Sequence, residues 1–171
     1  MSSSATDSSD NSAAAAASSS TAVPVTRSFV APSYLSAEEL HALLVDPETA
    51  AKTLVVDVRD EDHHGGHIAG ALNIPSEEFA QSMSKVQTAA KDKDRVVFHC
   101  MQSQQRGPKA ARMMAETIAK HGPDGFAKIQ ILENGFSGWA RYLSRMDEST
   151  RVKVKHQLVS DYLQQQHGYK I

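Results

Sequence analysis

The residues with the most chemical potential lie in one short run, His99-Cys100-Met101-Gln102-Ser103-Gln104-Gln105-Arg106, followed by Gly107-Pro108. Cys100 is the one cysteine of the chain. It ends an apolar, β-branched stretch, Val96-Val97-Phe98, and Arg106 follows after a five-residue spacer. A lone cysteine is commonly a small buried hydrophobe. The position argues for more: a strand end, an arginine at fixed spacing, then a Gly-Pro helix opening. Pro108 suits a first helical turn, where its missing N–H costs nothing. The loop is therefore expected beyond the carboxyl end of a strand and at a helix N-terminus. Open α/β sheets bind ligands there, and free N–H groups and the helix dipole favour an anion.

A loop this short curls so that the amides of Met101, Gln102, Ser103, Gln104, Gln105 and Arg106 converge. Together with the Arg106 fork they would hold the oxygens of a phosphate. The same field favours a Cys100 thiolate. The chemistry that follows is in-line attack by Cys100 on a tetrahedral oxyanion such as phosphate or arsenate. The covalent thiol adduct is then resolved by water or by a second thiol. His99, next to the nucleophile, should point to the opposite strand face, as a hydrogen-bonded strut that fixes the loop. Ser103 is read two ways, as a hydrogen-bond donor to the thiolate or as ordinary loop polarity. Gln102, Gln104 and Gln105 bring amides to the loop but no carboxylate.

The elements that must position this loop are legible in outline. Ser36-Ala37-Glu38-Glu39 opens a helix with a capping hydroxyl and a glutamate three residues on, and Leu40, Leu43 and Leu44 form its apolar stripe. Asp46-Pro47 ends that helix or begins the turn after it. Leu54–Val58, Val96–Cys100 and Ile129–Leu132 are continuous apolar runs, as expected of strands buried on both faces of a parallel sheet. Helical stretches fall between and after them, over 76–90, 108–120 and 136–143. This alternation predicts an α/β domain with helices on both faces of the sheet. Residues 1–28, mostly Ser, Ala and Thr, read as a disordered tail, with too few arginines for a transit peptide. Residues 29–146 read as the domain. Residues 147–171, with Val152, Leu158, Val159, Tyr162 and Leu163 near helical spacing, read as a helix packed on its flank.

Bulk properties exclude several classes. The 171 residues carry a formal charge of -2, with 22% charged and 40% hydrophobic residues. No basic excess points to nucleic acid, and no apolar run is long enough for a bilayer. One cysteine allows no internal disulfide and suits a reducing compartment, cytoplasm or nucleus.

Three segments together resemble the rhodanese-like fold. They are Asp57-Val58-Arg59-Asp60 with Gly66-His67-Ile68-Ala69-Gly70-Ala71 and Asn73-Ile74-Pro75; the strand, loop and helix from Val96 to Met114; and Leu132-Glu133-Asn134-Gly135-Phe136-Ser137-Gly138-Trp139. They cover most of residues 29–143. The resemblance implies a single domain with a central, mostly parallel, five-stranded sheet. Sulfurtransferases of this fold carry a shorter loop. The five-residue spacer closed by arginine resembles the cell-cycle dual-specificity phosphatases and the eukaryotic arsenate reductases. His99-Cys100 with Arg106-Gly107-Pro108-Lys109 is particularly similar to the reductases and the small stand-alone phosphatases. It implies Cys100 as nucleophile, Arg106 as oxyanion clamp and the loop amides as cradle.

The departures from that pattern are informative. The cell-cycle phosphatases commonly have loop glutamates, one of them a proposed proton donor, where this chain has Met101 and Gln105. They often have a second cysteine where this chain has Val58. Oxidised Cys100 would then need glutathione or a glutaredoxin as external thiol, the same requirement that an arsenate reductase has. No hydroxyl follows Arg106 to help expel the thiolate, because Gly107 stands there.

Other residues are expected to do less. Asp57 and Arg59 should brace the loop through local hydrogen bonds. His63, His64 and His67 resemble a metal cluster but lack a further ligand, and no metal or other cofactor is expected. Glu133 is a displaced-acid candidate that reads better as a solvated turn residue. Lys109 and Arg112 draw anions or simply solvate a helix face, and Phe136 and Trp139 belong to the core. The leading expectation is a thiol phosphatase acting on phosphate monoesters. Arsenate reduction on the same loop is the alternative. Thiosulfate-type sulfur transfer and a non-catalytic phosphate-binding module rank lower.

Overall fold

A computed structural model of the chain describes residues 29–64, 66–121 and 127–147. The expected N-terminal tail (1–28) and all but the first residue of the expected C-terminal helix (147–171) lie outside the described residues. The elements run β1 (Ser33–Leu35), α1 (Ala37–Val45), α2 (Pro47–Ala51), β2 (Thr53–Asp57), β3 (Leu72–Asn73), α3 (Phe79–Ala89), β4 (Arg95–His99), α4 (Arg106–His121), β5 (Lys128–Leu132) and α5 (Gly135–Ser144). A short 3-10 turn, Glu61–His63, follows β2.

The five strands form one sheet in the order β1-β5-β4-β2-β3, every described pairing parallel. The sheet is thus wholly parallel rather than mostly so. Side-chain alternation divides the core in two. Leu54, Val56, Val96, Phe98 and Ile131 pack against Phe79 and Val86 of α3 and Ala110, Ala111 and Met114 of α4. Leu35, Val55, Val97 and Leu132 pack against Leu40 of α1 and Phe136, Trp139 and Leu143 of α5. Helices therefore cover both faces, and central β4 has no polar face to spare.

One helix boundary is as expected from sequence, and two differ for physical reasons. Ser36 caps α1 in a full capping box with Glu39. Asp46 does more than end α1: its Oδ1 accepts the Glu48 N–H and starts α2, with Pro47 in the first turn. The helix expected from Ser76 begins at Phe79 because the backbone N–H and hydroxyl of Ser76 both donate to Asp60. Strands β1 and β3, of three and two residues, are too short to show a period in sequence.

The connections from β2 and β4 leave toward opposite edges of the sheet, to β3 on one side and β5 on the other. The crevice between their carboxyl ends is the place where parallel sheets of this kind bind ligands. Among the described residues no helix is long and apolar enough to cross a membrane.

Phe98 is fully buried and meets Phe79 edge to face at 5.7 Å between centroids. Phe98→Ala should cost about 3–5 kcal/mol of unfolding free energy in urea titration, because the central strand cannot collapse onto the void.

Candidate active site

Cys100 stands at the carboxyl end of β4, 4% exposed, with its side chain among the α3/α4 cluster. The loop after it is shaped from outside. The first amides of α5 donate to it, Phe136 N–H to the Cys100 carbonyl and Ser137 N–H to the Met101 carbonyl, each at 2.9 Å. A trans peptide sets its N–H opposite its carbonyl. The Met101 and Gln102 N–H groups therefore face away from α5. Helix α5 can come this close because Gly135, at φ +55, has no side chain: a Cβ there would lie 2.4 Å from the Cys100 carbonyl oxygen and 2.8 Å from Ser103 N. Gly107 makes the matching approach at the start of α4, where a Cβ would meet Cys100 N and Ser103 Oγ at 3.3 Å. Ser103 itself turns the loop at φ +50. Its hydroxyl is buried with no hydrogen-bond partner, so the structure shows no donation to another protein group. Helix α4 begins at Arg106, one residue before the expected opening, with Lys109 N–H on the Gln105 carbonyl.

A hollow of about 390 Å³ is lined by Asp62, Cys100, Met101, Gln102, Gln104, Gln105 and Arg106. It thus gathers most of the sequence-predicted loop with one carboxylate from the far side of the crevice. Arg106 is bound by two carboxylates. Nη1 donates to Asp60 Oδ2 and Asp62 Oδ1 at 2.8 Å, and Nη2 to Asp62 Oδ2 at 2.5 Å. The Asp62 hydrogen bonds foremost, against some desolvation, hold the Arg106 guanidinium firmly protonated. Asp60 is also pinned by Ser76; both carboxylates are about one-third exposed.

Beneath the loop lies a buried ion pair. Arg59 and Asp57 are both fully buried, and Arg59 Nε and Nη2 reach Asp57 Oδ2 at 2.9 and 2.7 Å. The same guanidinium donates to the carbonyls of Asp62 and Gly66 and lies 4.1 Å from the Phe136 ring centroid. Asp57 and Arg59 therefore join the segment that carries Asp62 to the helix that holds the loop carbonyls. His99 lies on this side of the sheet, stacked on Phe136. Its Nδ1 is 3.3 Å from the Cys100 carbonyl and 3.8 Å from Asp57 Oδ1. Both neighbours are acceptors, so the Nδ1-protonated tautomer fits. Burial drives the His99 imidazole below its ordinary range; Asp57 opposes and Arg59 assists.

The remaining candidates stay apart. Glu133 is exposed and does not line the hollow, Lys109 is exposed, and Arg112 pairs with Glu116 along the outer face of α4. His63 stacks on His67, but no group of three metal-ligating side chains converges among the described residues. Asp60 and Asp62 are the functional candidates that sequence reasoning missed. Two carboxylates just past the end of β2, beside β4 in a parallel sheet, were the available clue.

Two outcomes follow. A Gly135→Ala chain, strained at φ +55 and colliding with the loop backbone, should lose stability in urea titration. His99 has a folded-state pKa below the 6.5 of an unfolded histidine. Its neutral form therefore favours folding fully above that value, and the benefit is lost as pH falls from there toward the folded pKa. Urea titrations at about pH 7.5 and about pH 5.5 should show a larger loss for the native chain than for His99→Gln.

Comparison with known proteins agrees with this architecture. The model of the Rhodanese-like domain matches residues 36–142. The chain is 40% identical over 109 residues to Arsenate reductase 2.2 of Oryza sativa subsp. japonica, covering 63% of this chain and 81% of that one. It is 41% identical over 109 residues to Dual specificity phosphatase Cdc25 of Arabidopsis thaliana, covering 63% and 72%. Among solved structures, the As-Sb reductase from Leishmania major superposes with a TM-score of 0.55 at 30% identity, covering 65% and 78%. Saccharomyces cerevisiae Ygr203w, described as a homolog of single-domain rhodanese and of the Cdc25 phosphatase catalytic domain, superposes at 0.61 with 25% identity, covering 80% and 91%. The chain belongs to the rhodanese-like domain family, in the branch with relatives named for arsenate reduction and for dual-specificity phosphatase activity.

Proposed function

We propose that the protein is a cysteine-dependent phosphatase of phosphate monoesters. Cys100 is the nucleophile, the amides from Met101 to Arg106 form the cradle and Arg106 is the clamp. The observation that carries this reading is the loop itself. Its first two carbonyls are taken up by α5, its exit is the first turn of α4, and its nucleophile and arginine line one hollow. Donors held in advance where charge develops lower a barrier without reorganisation at the moment of reaction. Phosphoryl transfer asks for little else than position and such stabilisation. The thiophosphate formed on Cys100 is hydrolysed by water. His99, Asp57 and Arg59 keep the loop in shape and do not touch the substrate.

A second reading has support of its own: reduction of arsenate at the same loop, with glutathione and a glutaredoxin as external thiols. The lone cysteine and the 40% identity to Arsenate reductase 2.2 favour it. Arsenate has the shape of phosphate, so the cradle serves both. Arsenate and two thiols give arsenite, a disulfide and water, and Cys100 with an external thiol can supply that pair. Residence in the cytoplasm or nucleus, where such thiols are kept reduced, fits both readings.

Cys100→Ser should abolish turnover of p-nitrophenyl phosphate, and Arg106→Ala should lower it by roughly 10²–10³. An unchanged Cys100→Ser rate would sink the phosphatase reading. Arsenate supplied with glutathione and glutaredoxin should yield arsenite for the native chain and none for Cys100→Ser. Absence of arsenite alongside phosphatase turnover discards the second reading alone.

A further inference from the structure

The loop that cradles the oxyanion holds no carboxylate, yet expelling an alkoxide demands a proton. The hollow contains one carboxylate all the same. Asp62, delivered from the β2 side of the crevice, lines it together with Cys100, Gln104 and Arg106. From this we infer that Asp62 is a catalytic residue for the activity proposed above, the general acid that protonates the leaving oxygen and the general base that activates water in the second step. The inference rests on the phosphatase reading and adds the residue it lacks.

The geometry of the arginine supports the assignment. The Arg106 fork contacts two carboxylates, each with three hydrogen bonds but from different donors. Asp60 is fixed by the amide and hydroxyl of Ser76 at 2.6 and 2.9 Å and does not line the hollow. Asp62 faces the hollow and water, held by Arg106 and by the Asp60 N–H on its Oδ1. An incoming phosphate monoester therefore exchanges with Asp62 for Nη2, while Asp60 retains Nη1 and keeps the guanidinium aimed. The charged groups facing Asp62 are Arg106, Asp60 and Arg59, and Arg59 is committed to Asp57. Hydrogen bonding to Arg106 holds the Asp62 carboxyl below the ordinary carboxylate range, with burial opposing. Once the ligand takes that hydrogen bond, the depression is removed and a second anion lies alongside. Both changes favour the protonated acid. A phosphate monoester brings the proton, because its second pKa lies near ~6 and part of it arrives as the monoanion.

The steps balance. The Cys100 Sγ–P bond forms and the ester P–O bond breaks. The bond pair goes to the leaving oxygen, which takes the Asp62 proton. The products are thiophosphate, a neutral alcohol and the Asp62 carboxylate. That carboxylate then removes a proton from the water attacking phosphorus. The P–O bond forms, the S–P pair returns to Sγ, and inorganic phosphate leaves with Asp62 protonated again.

The test is the dependence of kcat/KM on leaving-group acidity, from p-nitrophenyl phosphate to simple alkyl phosphates, for the native chain, Asp62→Asn and Asp60→Asn. The native chain should show a shallow dependence. Asp62→Asn should lose roughly a hundredfold or more on alkyl beyond its loss on nitrophenyl substrates. Asp60→Asn, which disturbs the same arginine without removing the acid, should lower both alike, and Asp62→Glu should recover part of the alkyl activity. A steep dependence in the native chain overturns the inference even if Asp62→Asn does not fold. Equal losses on both substrates in Asp62→Asn also overturn it and leave the phosphatase reading standing. A native chain that turns over no aryl phosphate ends both.

Discussion

A guanidinium with none of its surface in water is a severe demand on a small domain. Arg59 imposes that demand here, and much of the site is organised by how it is met. Its charge is matched by Asp57 on the last residue of β2, its outer N–H groups are taken by the carbonyls of Asp62 and Gly66, and its flat face rests on Phe136. A buried ion pair adds little to stability compared with well-packed apolar residues, but losing one partner of it costs several kcal/mol. Its use here is geometric. One side chain fixes the end of β2, the turn that carries Asp62 and the start of α5, three segments that have no backbone ladder in common.

The loop after Cys100 is held by the same logic of obligatory partners. The carbonyls of Cys100 and Met101 lie against the start of α5 and need donors, and the first amides of α5 need acceptors. Each satisfies the other, so the loop keeps its shape without a regular element of its own. Glycine at 135 and at 107 lets two helices approach one loop from different sides. Asp60, tied to Ser76 at the entrance of α3, gives Arg106 a fixed partner on the opposite wall.

The sequence disclosed the parts that depend on local pattern. The mainly apolar runs around Val55, Val97 and Ile131 become the three inner strands, because a strand buried on both faces must be largely apolar. The Ser36–Glu39 capping box and the placing of Pro108 in the first turn of α4 are local chemistry, and both are readable in the sequence. β1 and β3 were hidden by their length, and α3 begins late because Ser76 is engaged by a residue far back in the chain. The site divides the same way. Cys100 and Arg106 stand out because their spacing is a property of one segment. Asp60 and Asp62 did not, because their meeting with Arg106 spans 46 and 44 positions and exists only once β2 lies beside β4.

The attachment of the loop to α5 also sets how long the site persists. For the Cys100 and Met101 carbonyls to come free, the first turn of α5 must lift away, and that turn is continuous with Phe136 and Trp139, both fully buried. Opening the cradle therefore means opening part of the core. Local fluctuations that fray an ordinary surface loop have no cheap route here, and the lifetime of this loop conformation approaches that of the folded unit containing α5. In native-state hydrogen exchange the Phe136 and Ser137 amides, which hold those two carbonyls, would behave as part of the interior.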